Sequence, residues 1–144
     1  MNYIIWVYRL GAISNWLVTF IAIVNPNSSA NLFGQLQSRL PETLQMGHNA
    51  FPTLNNPFLL IIWSGMAFLW AFVMWEFSND PIKNFRLAKY PWIEKCVTTY
   101  AVTWGVFIDG SAPMVVFLFV LYTDVLWIVL FIIAHINLRK IMAG

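Results

Sequence analysis

Charge is what this chain has least of. Only 10% of its 144 residues are Asp, Glu, Lys or Arg, where an ordinary soluble domain carries about 25%. A water-facing globule of this size cannot be covered with so few charges, and 60% of the residues are hydrophobic, so the composition points to a membrane domain. Cysteine is nearly absent. Cys96 alone excludes an internal disulfide and a multi-cysteine metal site, and its position at the start of an apolar segment suggests a small packed residue. There are two histidines, His48 and His135, expected at opposite ends of the fold, where they cannot ligate one haem iron from facing helices. No H-E-x-x-H, G-x-S-x-G, phosphate-loop or paired-cysteine motif occurs, which points away from an enzyme and gives no metal site and no predicted cofactor. A net charge of +2 spread over short stretches is too weak a basic footprint for a nucleic-acid partner.

What the chain does contain is four apolar runs, at about 3–24, 57–77, 92–109 and 113–136. Each is near the roughly 20 residues that a helix needs to cross hydrocarbon, the third being the shortest. The expected fold is an all-α integral membrane domain spanning 1–144, an antiparallel bundle of four transmembrane helices. A loop at about 25–56 is rich in Asn, Ser and Pro, with one short interfacial helix expected around 31–45. Arg9, the apolar stretch 10–24 and Ser28-Ser29-Ala30 also resemble a secretory signal. The opening YIIWVY is too apolar for a signal's basic start, which favours a first span instead.

Orientation follows from the cations. Lys83, Arg86, Lys89 and Lys95 lie in or beside the 78–91 loop, and Arg139 and Lys140 follow the last span. The positive-inside bias therefore places this loop and both termini in the cytoplasm and the 25–56 loop outside. Tyr3, Trp6, Trp75, Tyr90 and Trp92 fall near the predicted inner boundary, where amphipathic rings prefer to sit.

Within the spans, one residue stands out: Asp124, a carboxylate in the run VLYTDVLWIVLF. A charge there costs roughly 2.5–3.5 kcal/mol on insertion scales, so it calls for a partner, a proton or a task. Counting at about 1.5 Å per residue puts Asp124 some 18 Å from the inner end, and Asn15, Ser64 and Thr103 at a similar level on the other three helices. Inward-turned polar groups at one depth form a candidate ligand-binding or proton-carrying site, although single Ser and Thr residues in spans commonly bond their own backbone. Trp63, Trp70 and Phe77 repeat every seven residues, and Trp127 lies near Asp124, so aromatic walls are available for an apolar or amphipathic ligand such as a lipid, quinone or pigment. Nearer the cytoplasm, Arg9, Glu76, Glu94 and His135 form a second polar cluster, with Arg9 expected to pair with Glu76 or Glu94. His135, eleven positions after Asp124, shares its helix face, which would suit a proton path, although an interfacial histidine is the plainer reading.

The Arg in YRLGA, the Asn25-Pro26 step after the first span, the basic second loop and the acid before an aromatic in TDVLW together resemble small bacterial membrane proteins of the DoxX-like and BphX-like kind. The resemblance implies a compact four-helix bundle in the bacterial inner membrane and carries over no site residues. Three functions remain open: a ligand-binding accessory subunit, a proton-coupled carrier that needs a dimer, and a structural scaffold in a larger complex. Membrane lipids and a second copy of the chain are the expected partners.

Overall fold

The computed structural model describes residues 1–45 and 58–143, and among these every regular element is helical. The long helices are α1 (Asn2–Val24), α3 (Phe58–Asn79), α4 (Tyr90–Phe107) and α5 (Met114–Ala143), with a shorter α2 (Pro26–Ser38) and two 3₁₀ turns at Glu42–Leu44 and Phe85–Leu87. Among the described residues three stretches are long and apolar enough to cross a membrane: Asn2–Val24, Ile61–Asn79 and Met114–Ala143. The 18-residue α4 is not among them, because Glu94, Lys95 and three threonines interrupt its apolar character. His48 and the rest of the expected loop between 46 and 57 lie outside the described residues.

Local chemistry explains the breaks. Pro26 has no N–H to continue α1 and disfavours helical geometry at Asn25, whose side chain instead accepts from the Ser28 N–H at 3.2 Å and caps α2. The helix expected near 31–45 thus begins earlier, at Pro26, and ends at Ser38. Pro91 opens α4, where a missing N–H costs nothing. The α4–α5 turn needs Gly110, with φ of +68°, and folds back until the Ala112 N–H reaches the Gly105 carbonyl at 3.1 Å. Gly105 makes that return possible, since a Cβ there would stand 2.9 Å from the Ala112 Cβ. α5 runs on through Ala143, well beyond the expected end at 136, because its last turns pack Leu138, fully buried, while Arg139 and Lys140 face outward.

Helices α1 and α3 form one antiparallel pair and α4 and α5 the other. The pairs join where α1 crosses α5 at Gly11, whose missing side chain admits the Phe131 ring. Around that crossing Tyr8 is fully buried, its ring 4.2 Å from Phe77 and 5.0 Å from Phe131, and its hydroxyl donates to the Ala88 carbonyl at 2.7 Å. This one phenol fixes α1, α3, α5 and the 80–89 segment together. At the other end, the buried Gln37 of α2 accepts from the Val115 N–H at 2.8 Å, occupying a donor that the first turn of α5 leaves free, and Phe33 packs edge-on against Phe119. The outward faces are apolar, with Leu17, Phe20, Leu69, Tyr122 and Leu126 all exposed.

Candidate functional site

Asp124 is buried at 6% exposure, and it is not alone. The Lys95 Nζ, itself buried, lies 3.1 Å from Asp124 Oδ1, donates to Asn15 Oδ1 at 3.4 Å and stands 3.7 Å from Glu94 Oε2. Lys95 is on the second turn of α4, and its long side chain turns inward where the loop cations turn outward. Thr123 donates to Asp124 at 3.4 Å, and Thr98 to Glu94 Oε1 at 3.3 Å. Asn15 also donates from its amide to the Ala67 carbonyl of α3 at 3.5 Å, a long bond within the first helix pair, so the Lys95–Asn15 bond is what ties that pair to the charges of the second. Two carboxylates therefore flank one ammonium. In a low-dielectric setting such a pair persists only because each partner compensates the other's lost hydration.

These groups form the floor of a small cleft of about 40 Å³ between the two helix pairs, with room for two or three waters. Trp63, Phe119 and Trp127 wall it, and Trp63 and Val18, both exposed, line its outer part. α3 and α4 meet along little of their lengths, chiefly where Trp70 stands edge-on to Tyr90 at 6.5 Å. A quinone or pigment ring needs a pocket of roughly 300–1,000 Å³. The cleft admits a small polar head and no more. Among the described residues no cluster of three or more His, Cys, Asp or Glu suits a metal ion.

Compared with protein-family models, with curated proteins and with solved structures, the chain matches none.

The expected polar layer is only partly assembled. Asn15 and Asp124 come together through Lys95, while Thr103 donates to its own helix at the Thr99 carbonyl, 2.7 Å away, and Ser64 is fully buried with no partner for its hydroxyl among the described residues. Trp63 and Trp127 reach the cleft, whereas Trp70 packs against the hydrophobic core and Phe77 against Tyr8. The second expected cluster separates into unrelated pieces. Arg9 pairs with neither Glu76 nor Glu94: it lies 5.3 Å from the Trp75 ring centroid and donates to Ser78 at 3.4 Å. Glu76 faces outward and accepts from Asn79, and Glu94 belongs to the Lys95 site. His135 accepts the Trp92 indole N–H at 3.1 Å, and the stacked rings of Trp127 and Phe131 occupy the helix face between it and Asp124. Cys96, expected to be packed, is exposed, because turning Lys95 inward rotates its successor about 100° away.

Lys95 is the buried partner of Asp124 that charge patterning hides. Grouped with its loop neighbours it reads as an orientation signal. Its place inside the expected 92–109 span was the available clue, since only Arg9 shares that property among the cations.

Proposed function

We propose that α1, α3, α4 and α5 all cross the bilayer as an antiparallel four-helix bundle, and that the cleft over Lys95 and Asp124 binds the polar head of an amphipathic ligand. Its apolar body would lie along Trp63 and Val18 in the lipid. The four-span reading is supported by the apolar outward faces and by the inward turn of Lys95, which relieves α4 of its most costly charge. The resemblance to DoxX-like proteins implies the same bundle. The observation that carries the binding reading is the buried Lys95–Asp124 pair on the floor of an aromatic-walled cleft. Hydrophobic residues of similar volume commonly replace such a pair without loss of stability, so a purely structural need for it is weak. The distribution of Lys and Arg favours a bacterial-type inner membrane with both termini cytoplasmic.

The test is to extract the protein in mild detergent and identify retained small molecules by mass spectrometry. The wild type is expected to carry an amphipathic compound that is lost in Ala67→Phe, which fills the cleft without touching a charge, and in the combined Lys95→Met/Asp124→Leu variant. Equal retention by all three would defeat the proposal. A proton-coupled carrier is the second reading, favoured by the unequal charge of two carboxylates around one ammonium. It requires a dimer for alternating access, and flux in liposomes that ignores replacement of Asp124 would exclude it.

A further inference from the structure

A second concavity lies at the opposite end from the α4–α5 turn, between the 80–89 segment and α5. It measures about 340 Å³ and is lined by Phe85, Arg86, Lys89, Tyr90 and His135. Among the described residues no carboxylate lines it. Among the described residues neither Arg86 nor Lys89 is in an ion pair, and the only partner of Lys89 Nζ is the Tyr90 ring, 5.3 Å from its centroid. Because His135 Nδ1 accepts from Trp92, its Nε2 is the nitrogen that bears hydrogen in the neutral ring, so His135 is a donor whether or not it is protonated. Arg139, one turn further along α5, adds another cation close to His135. Cations serve orientation from anywhere in a loop, so their convergence on one concavity calls for a different reason.

We infer that this concavity binds a phosphate-bearing anionic head, that of a lipid at the inner membrane surface. Arg86 offers the fork that matches phosphate oxygens, Lys89 a point charge, and His135 a fixed N–H, while Phe85 and the Tyr90 ring give an apolar wall for the first carbons beyond the phosphate. Basic pockets between helices on the cytoplasmic side suit such heads. The site is separate from the Lys95 cleft. Its lipid source rests on the four-span reading, whereas a free phosphate would use the same donors.

The experiment uses the full chain in mild detergent. Native mass spectrometry follows adducts of added phosphatidylglycerol and phosphatidylcholine, and a parallel thermal shift compares inorganic phosphate with chloride at equal ionic strength. The wild type is expected to prefer phosphatidylglycerol, and Arg86→Gln/Lys89→Gln, both exposed positions that leave the fold intact, to weaken that binding by about thirtyfold, on the order of fivefold per cation. Ala67→Phe should leave it unchanged, which separates this site from the cleft. Stabilisation by inorganic phosphate that disappears in the double variant, without lipid preference, would assign the same donors to a free phosphate. Equal phosphatidylglycerol retention by wild type and double variant, with no phosphate effect in either, would overturn the inference.

Discussion

At the scale of single residues, the buried polar groups differ in whether they are satisfied, and that difference predicts the sign of their replacement. The Tyr8 hydroxyl holds the Ala88 carbonyl inside the core. Tyr8→Phe strands that carbonyl and should cost about 1–3 kcal/mol in chemical unfolding. Ser64 is the reverse case, a hydroxyl buried without a partner among the described residues. Ser64→Ala is therefore expected to be neutral or to stabilise by up to about 1 kcal/mol, and a clear loss would show that the hydroxyl has a role that its surroundings do not reveal. Legibility follows the same line. Asp124 and Asn15 were readable because a lone acid or amide in an apolar run has few uses, but Thr103 bonds its own helix, an option always open to threonine and invisible in spacing. The direction taken by the Lys95 side chain depends on what faces it across the fold, and no pattern within α4 encodes that.

At the scale of helices, apolar runs located the long elements to within a few residues, since hydrocarbon-length hydrophobicity is a strong local signal. Their ends were less legible. The end of α5 was obscured because the cations Arg139 and Lys140 read as following the span, whereas Leu138 keeps the last turns packed. Two glycines make contrasting predictions about packing. A Cβ at Gly11 would fall 2.6 Å from the Phe131 Cζ at the α1–α5 crossing, while no described residue stands within 4 Å of one at Gly65. Gly11→Ala should cost roughly 1–3 kcal/mol through displacement of Phe131, and Gly65→Ala should stabilise by about 0.5–1 kcal/mol through helix propensity. Both are read from unfolding in detergent or bicelles, and a loss at Gly65 would mean that this face of α3 is covered by something further.

At the scale of the whole molecule, one helix pair is held to the other by an apolar crossing at Gly11 and Phe131 and by a polar contact at Asn15 and Lys95. The proposed orientation puts the 80–89 segment and both termini on one side of the membrane and the 108–113 turn on the other. In a Cys96→Ala background, cysteines introduced at Lys83 and at Asp109 are expected to react with an impermeant maleimide from opposite faces. Labelling of both from one face would exclude α4, the helix between them, as a span. The pairing of Lys95 with Asp124, on which the proposed binding site depends, is tested most directly by a double-mutant cycle on stability in lipid. Lys95→Met should cost about 3 kcal/mol or more because it leaves Asp124 and Glu94 together without a cation, Asp124→Leu should cost less because Glu94 still faces Lys95, and the combined variant should be more stable than Lys95→Met alone, since only Glu94 then lacks its cation. Losses that simply add in the combined variant would show that the two charges do not meet.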